Sequence, residues 1–241
     1  MLAFTDQRSP VVVDRIELLE IGCPFIQLRQ MLSFLRGDAP REPSPLPLFP
    51  LKTVLFPGGV LPLKVFEQRY IEMTKACLKD NQPFGVCLLT QGEEVAGSAG
   101  AKSATEFAPI GTRARITNWD MPQLGILQLR TEGEARFQVQ SHTVADDGLV
   151  IGQVTALAPE PTRALSEIYL PLSNLLELLI TRVGRENFPT ELVLDDASWV
   201  SYRLAELLPL PLNIKQSMLE INDCEVRLKV LAQFLKQQGL L

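Results

Sequence analysis

The sequence is poor in the residues that bind transition metals or form disulfides. It has one histidine, His142, and four cysteines that lie far apart without a CxxC pair: Cys23, Cys77, Cys87 and Cys224. Because zinc and similar ions need several suitably spaced Cys or His ligands, no metal site is expected. Scattered cysteines that act as small buried hydrophobic residues are typical of a reducing compartment, so we predict a cytoplasmic protein.

The chain also lacks the apolar runs of membrane segments and the basic excess of nucleic-acid-binding proteins. No run approaches the ~20 apolar residues that cross a bilayer, and charges are scattered through the N-terminal region, unlike in a secretory signal. The net charge of −5 is spread evenly along the chain. Because phosphate neutralisation supplies much of the affinity for nucleic acids, we predict neither nucleic acid as the main partner nor membrane association.

Catalytic and phosphate-binding motifs are missing as well. The segment GSAGAKS at 97–103 superficially resembles a phosphate-binding loop, but its spacing differs from GxxxxGK[ST]. No GxGxxG or GxSxG motif occurs. A hydrolase using Cys77 or Cys87 as nucleophile with His142 as base is the remaining catalytic alternative. Since no spacing brings those side chains together, we predict a protein that is not an enzyme and has no cofactor.

What the sequence does contain is an apolar stretch interrupted by prolines, LPLFPLKTVLFPGGVLPL at 46–63. Prolines exclude a helix there and would remove ladder hydrogen bonds from a central strand. We predict a short strand over 47–51, a corner at 56–59 and a return strand. The prolines are expected at edges and strand starts, where no ladder donor is needed.

Composition divides the chain into three parts. Residues 1–44 form an extension that ends in a proline-rich linker, and Met31 within it is an alternative translation start. Residues 45–160 contain mostly short alternating runs, which are typical of β-strands. Residues 161–241 switch to leucines at helical spacing. This order predicts an α+β fold in which a rolled sheet or small barrel precedes a helical bundle.

Within the β part, the sequence predicts one helix and several turns. Apolar residues at helical spacing predict an amphipathic helix over 67–81, and a continuous apolar run predicts a buried strand over 84–90. Residues 91–108 are small and polar, which predicts a flexible loop. Turn residues separate the later strands at Glu132-Gly133 and at 146–148.

The helical part carries recognisable helix-end residues. Asp195 or Asp196, Asn213 and Asn222 are predicted N-caps, since short polar side chains accept hydrogen bonds from the first free backbone N–H groups. Gly239 is predicted to follow the last helix.

The segment FEQRY supplies the best binding candidates. In one interpretation, Phe66 and Tyr70 pack under the barrel while Glu67 and Arg69 form a pair or a cap. In the other, Arg69 and Tyr70 lie at the edge of a groove that accepts a peptide, since Arg and Tyr are frequent hot-spot residues. Phe56 joins these four residues as a candidate peptide contact.

Several segments, taken together, resemble the N-terminal substrate-binding domain family of Lon proteases. They are LPLFPL at 46–51, VLFPGGVLPLKVFEQRY at 54–70, FGVCLL at 84–89, GTRARI at 111–116, GEARFQV at 133–139, QVTAL at 153–157 and LAELLPLPLNIKQSMLEINDCEVRLKVL at 204–231. The resemblance covers about 46–241. It implies a PUA-like β-barrel or rolled sheet over 45–160, with the helices of 161–241 belonging to the same unit.

In full-length Lon proteases this unit precedes an ATPase and a Ser–Lys peptidase domain and helps to recognise unfolded or tagged substrates. The present sequence contains neither a Walker A motif nor a peptidase domain, so those activities are not implied. The resemblance implies a stand-alone, non-catalytic protein- or peptide-binding module, with an adaptor role in protein quality control as one form of it. Expected partners are unfolded or extended polypeptide segments, and a protease or a chaperone; the oligomeric state is left open.

The same resemblance implies an alternative, RNA binding, because PUA-like barrels in other families hold RNA. Four arginines on neighbouring predicted strands, Arg113, Arg115, Arg130 and Arg136, could form a basic strip. The acidic balance of the chain argues against this alternative.

Overall fold

The computed structural model describes residues 42–92 and 105–240, which belong to one compact unit, Arg41–Leu241. Most of the predicted extension, Met31 and the GSAGAKS segment lie outside the described residues. The described strands are β1 (Ser44–Leu51), β2 (Val60–Val65), β3 (Phe84–Gln91), β4 (Glu106–Phe107), β5 (Ile110–Gln123), β6 (Ile126–Val144) and β7 (Val150–Ala156). The described helices are α1 (Gln68–Asp80), α2 (Leu170–Val183), α3 (Ala197–Leu207), α4 (Leu212–Glu220) and α5 (Cys224–Gln237). The predicted α+β class is confirmed.

The sheet closes because β1 pairs with two different strands along its length. Its N-terminal half pairs antiparallel with β7, where Ser44 lies opposite Val154 and Leu48 opposite Val150. Its C-terminal half pairs parallel with β3, beginning with Leu48 opposite Gly85. The order β1-β7-β6-β5-β3 therefore returns to β1, with β2 added to β6 and β4 to β3. Closure removes most of the free backbone edge that an open sheet would leave.

The expectation that the prolines lie at sheet edges and strand starts is wrong for part of β1. Pro45, Pro47 and Pro50 do not lie in an edge strand, because β1 has a neighbour on each side. The two pairings are staggered, so most of β1 is paired on one side only, and a proline nitrogen facing the other side removes no ladder hydrogen bond. Pro62 does lie in an edge strand, since β2 pairs only with β6 within the described residues.

The predicted corner at 56–59 is confirmed and joins β6. The Gly59 N–H donates to the Phe56 carbonyl oxygen at 2.9 Å, and Gly58 has a φ of 66°, which favours glycine. The Gly58 N–H donates to the Gly133 oxygen at 2.7 Å. A Cβ at Gly133 would lie 2.3 Å from the Phe56 oxygen. The turn predicted at Glu132-Gly133 is therefore wrong, because Gly133 lies within β6 where it permits this close approach.

Two further turn and loop predictions have different outcomes. The turn at 146–148 is confirmed by a hydrogen bond from the Gly148 N–H to the Ala145 oxygen at 2.8 Å. The loop predicted over 91–108 is wrong at its end, since Phe107 of β4 pairs with Leu89 of β3. The hairpin between β5 and β6, which was not predicted, turns at Gly125, whose φ is 81°.

Of the predicted N-cap residues, one caps its helix and two do not. The N-cap of α3 is Asp196, whose carboxylate accepts from the Trp199 N–H at 2.7 Å. Asn213 lies inside α4, after the N-cap position of Pro211, so its predicted role is wrong. The N-cap of α5 is Asp223, one residue after the predicted Asn222.

The core and the last helix complete the architecture. A large apolar cluster joins α2–α5 to Val54, Phe56 and Leu88 of the β part. Gly239 follows α5 with a φ of 69°, as predicted for a helix C-terminus. In the described part of the chain, no helix combines the length and apolar character that a membrane span requires.

Candidate functional site

The FEQRY segment serves mainly to attach α1 to the sheet. Tyr70 is buried and stacks on Phe49 with ring centroids 3.8 Å apart. Arg69 pairs with Glu67 at 2.9 Å and donates from Nη1 to the Gly148 oxygen at 2.8 Å. The buried position of Tyr70 corrects the interpretation that placed it at a groove edge. These contacts favour the packing interpretation for Tyr70, Glu67 and Arg69.

The two phenylalanine candidates have opposite environments. Phe56 is fully buried against Tyr202, with ring centroids 5.6 Å apart, so it cannot contact a partner at the surface. Phe66 is 52% exposed. Of the five candidates, it is the one with a large apolar side chain that a partner can reach. Its predicted packing under the barrel is wrong.

The four arginines do not form one exposed basic strip. Arg136 is buried and donates to the carbonyl oxygens of Leu219 and Ile221 at 2.7 and 3.2 Å. Arg130 donates to the Phe188 oxygen at 3.1 Å. These bonds connect β6 to the helical part of the chain.

The remaining arginines of the predicted strip are also engaged or partly covered. Arg115 pairs with Glu134 at 2.7 Å, and Arg113 is half-buried with an interaction of its own. A phosphate backbone would therefore have to displace existing partners, and no observation favours RNA as a ligand.

Cys77, Cys87 and His142, which lie in the described part of the chain, lack the environment of a nucleophile and its base. Burial, with the nearby charge of Asp80, raises the pKa of Cys77 from 9.0 to about 11. Burial raises the pKa of Cys87 from 9.0 to about 12. His142 is exposed on β6, with its ring 5.1 Å from that of Phe107. Because a thiolate is the reactive form, these raised pKa values oppose nucleophilic chemistry at neutral pH.

One cleft lies on the sheet near the β5–β6 hairpin, and we call it the sheet cleft. It has a volume of about 390 Å³ and is lined by residues of three strands: Pro62, Leu63, Lys64, Asn118, Trp119, Asp120, Gln128, Leu129 and Arg130. Leu63 lies opposite Leu129, and Leu129 lies opposite Trp119. Residues in register share a face of a sheet, so the three form an apolar row. Trp119 is 51% exposed at the end of this row.

The backbone edges beside the sheet cleft are protected against pairing with another strand. On β5, the Trp119 N–H donates to the Asn118 side chain and the Met121 N–H to the Asp120 side chain, each at 2.8 Å. On β2, the exposed edge carries Pro62 and Lys64. Proline, lysine and local side-chain hydrogen bonds all discourage strand addition. A partner at this surface would therefore bind mainly through side-chain contacts.

A second cleft, which we call the interlayer cleft, lies between the sheet and the helices. It has a volume of about 440 Å³ and is lined by Pro57, Gly58, Gly133, Glu134, Ala135, Arg136, Ala158, Pro159, Glu160, Thr162, Asp196, Ser198, Trp199 and Tyr202. The linker between β7 and α2 supplies one wall, and the first turns of α3 supply another.

A buried ion pair lies beneath the interlayer cleft. Arg227 donates from Nη1 to Glu160 Oε1 at 2.5 Å and from Nε to Ser201 Oγ at 3.0 Å. Burial alone would raise the pKa of Glu160. Hydrogen bonds from Arg227 and Ser198, with the charges of Arg227 and Arg136, outweigh burial, so its pKa lies below the usual 4.5. The pair therefore stays ionised at neutral pH.

Tyr202 lies in the same cleft with an unsatisfied hydroxyl. Its ring packs under the guanidinium of Arg227, 3.9 Å from the ring centroid. The hydroxyl is buried without a hydrogen-bond partner among the described residues. Burial raises the pKa of Tyr202 against the opposing charges of Arg227 and Arg136, and the Glu160 carboxylate beside it also raises it. An unpaired buried hydroxyl costs about 1–3 kcal/mol, which singles out this position.

The two tryptophans that line the clefts were missed in the sequence. Trp119 and Trp199 are the chain's only two tryptophans, and each lines a cleft. Their rarity could have drawn attention to them as binding candidates, because tryptophan is enriched at binding surfaces.

The sequence and the fold can be compared with those of known proteins. The ATP-dependent protease La (LON) substrate-binding domain family matches residues 45–237. Lon protease 1 of Sorangium cellulosum is 31% identical over 220 residues, covering 86% of this chain and 26% of that protein. Lon protease 2 of Myxococcus xanthus is 29% identical over 205 residues, covering 81% of this chain and 24% of that protein. This chain thus spans about a quarter of those relatives.

Solved structures agree with the sequence relatives. The Lon N-terminal domain protein from Xanthomonas campestris is 36% identical, with a TM-score of 0.62, covering 79% of this chain and 98% of that one. The N-terminal domain of a Mycobacterium avium complex Lon protease, at 17% identity and a TM-score of 0.53, supports the fold alone. The chain belongs to the Lon substrate-binding domain family. The family predicted from the sequence is confirmed.

Proposed function

We propose that this protein is a non-catalytic polypeptide-binding module that holds extended apolar segments at the sheet cleft. The observation that carries the proposal is Trp119, which is 51% exposed beside the cleft at the end of its row with half-buried Leu63 and buried Leu129. A fixed aromatic ring at a cleft offers a large apolar contact that does not depend on the exact sequence of a partner. Such tolerance suits the recognition of unfolded chains.

The hairpin beyond the sheet cleft extends the apolar surface. Met121 is 41% exposed, and Leu124 at the turn is 92% exposed. Lys64, Arg130 and Asp120 supply charges at the rim, which is a common arrangement around a binding surface. Because the edges of β2 and β5 are protected, this surface can present apolar groups without inviting strand-to-strand aggregation.

The family match supports a substrate-binding role, since its description names substrate binding for the La (LON) domain. The finer parts of the proposal go beyond that description. They are an adaptor role in protein quality control, a protease or chaperone as a working partner, and a cytoplasmic location.

Fluorescence anisotropy with a labelled, permanently unfolded model protein tests the proposal. We expect saturable binding at tens of micromolar and at least a tenfold weaker affinity for Trp119→Ala, because a central aromatic contact is worth about 2 kcal/mol or more. Trp119→Phe should retain part of the affinity, since it keeps an aromatic ring.

The matched control is Leu178→Ala, which removes an apolar side chain that is 64% exposed on α2, far from the hairpin in sequence. It should leave binding unchanged. Equal affinities of Trp119→Ala and the unmodified chain, or no binding at tens of micromolar, would contradict the proposal.

A further inference from the structure

The interlayer cleft is separate from the sheet cleft and is not used by the proposed function. The two share no lining residue. Its walls combine two aromatic residues, Trp199 and Tyr202, with Pro57 and Pro159, so most of its surface is apolar. A concave apolar site with a few polar groups is typical of a ligand site.

The cleft has hydrogen-bond donors to spare. The Tyr202 hydroxyl lies beside the Glu160 carboxylate but makes no hydrogen bond of good geometry among the described residues. The backbone N–H of Trp199 donates to Asp196, whereas its indole N–H has no acceptor in the described part of the chain. A ligand that offers acceptors would satisfy groups that the chain itself leaves unsatisfied.

The charged groups that line the cleft are already engaged within the chain. Arg136 donates to the carbonyl oxygens of Leu219 and Ile221 and to the Asn222 side chain. Glu160 is held by Arg227, and Glu134 by Arg115 at 2.7 Å. Asp196 accepts from the Trp199 N–H in the first turn of α3 and from the Arg163 N–H in the linker before α2. A charged ligand would have to break these contacts. The cleft therefore favours a neutral ligand that is apolar and bears carbonyl oxygens.

We propose that the interlayer cleft binds a proline-containing extended segment of another polypeptide. Each proline brings an apolar ring and a carbonyl acceptor but no N–H donor, which matches a cleft with aromatic walls and surplus donors. A proline-rich segment is also extended before it binds, so less conformational entropy is lost. The rings would pack on Trp199, and the carbonyl oxygens would accept from its N–H and from the Tyr202 hydroxyl.

Titration of a fluorescein-labelled peptide, APPLPPA, into the full chain tests this assignment. In a Trp119→Phe background Trp199 is the sole tryptophan, so its emission reports on the cleft directly. We expect saturable binding below about 1 mM and a change in Trp199 emission. A peptide in which alanine replaces the prolines should bind at least fivefold more weakly.

One pair of variants and one single variant decide where the peptide binds. Ala135 and Gln138 are both exposed on β6, but only Ala135 lines the cleft. Ala135→Arg should weaken binding at least tenfold, whereas Gln138→Arg should leave it unchanged. Tyr202→Phe should weaken binding severalfold while the chain stays folded, since the lost hydroxyl has no partner in the free protein.

Three outcomes would overturn the proposal. They are no binding up to about 1 mM, equal binding of the proline-free peptide, and equal binding by Ala135→Arg and Gln138→Arg. None of them bears on the sheet cleft, which is tested separately with Trp119→Ala and an unfolded protein.

Discussion

Arg227 and Glu160 form a buried ion pair that links the last helix to the segment following the sheet, with Arg227 Nη1 2.5 Å from Glu160 Oε1. The side chain of Arg227 is 0% exposed and that of Glu160 is 5% exposed. The residues are 67 positions apart in the sequence. The pair thus connects α5 to the linker that follows β7, at the floor of the interlayer cleft, through one contact.

Glu160→Gln should strongly destabilise the fold. The substitution leaves the guanidinium of Arg227 buried without a counter-charge, which typically costs about 3–5 kcal/mol. Urea unfolding followed by circular dichroism would measure the loss. The exposed Glu167→Gln is the matched control and should change stability by less than about 0.5 kcal/mol. A loss below about 1 kcal/mol for Glu160→Gln would contradict a structural role for the pair.

The same pair predicts a dependence of stability on acidity. The folded-state pKa of Glu160 lies below its usual 4.5, so its contribution is full above that pH. The contribution is lost as pH falls through the lowered folded-state pKa. The unfolding free energies of the unmodified chain and of Glu160→Gln should therefore converge in acid. A gap that stays constant from neutral pH down into this acid range would show that Glu160 does not titrate as expected.

Arg136 and Arg115 should respond very differently to removal of charge. Arg136→Met leaves the carbonyl oxygens of Leu219 and Ile221 without their donor inside the protein, at about 1–3 kcal/mol each. Arg115→Met removes a pair whose side chains are 50% and 37% exposed, and such pairs contribute about 0–1 kcal/mol. Denaturant midpoints would separate the two. Comparable effects would mean that Arg136 does not join sheet and helices as described.

Gly133→Ala should destabilise the corner that follows β1. The new methyl group would meet the Phe56 oxygen at 2.3 Å, and a backbone atom cannot move aside as a side chain can. We expect a loss of about 2–3 kcal/mol in thermal or urea unfolding. Gly125→Asn is the comparison, since that position is open and Asn tolerates a positive φ. It should cost less than about 1 kcal/mol, and a reversed order would refute this account.

Local patterns were enough for some elements of the fold. The buried side chains of Tyr70, Met73, Thr74 and Cys77 lie at the predicted helical spacing in α1. Asp196 caps α3 because capping needs only a short side chain beside the first turn. Such features depend on neighbours within a few residues, so the sequence contains them.

Features that depend on distant contacts could not be predicted in this way. Asn222 has the chemistry of an N-cap, but its side chain accepts from Arg136, 86 residues away, and Asp223 caps α5 instead. Glu132-Gly133 has turn residues, yet the glycine serves the approach of the Phe56 carbonyl. The row ending at Trp119 depends on the register of the hairpin, which is set by irregularities along β5 and β6.

The double pairing of β1 also has a consequence for the order of events during synthesis. Leu48 pairs with Val150, 102 residues later, so the sheet cannot close until most of the chain has been made. At bacterial-type rates of roughly 5–20 residues per second, that interval lasts about 5–20 s. Throughout it, Leu46 and Leu48, both buried in the finished protein, lack the β7 strand with which they pair. During synthesis, the protein therefore exposes apolar segments of the kind that it is itself proposed to bind.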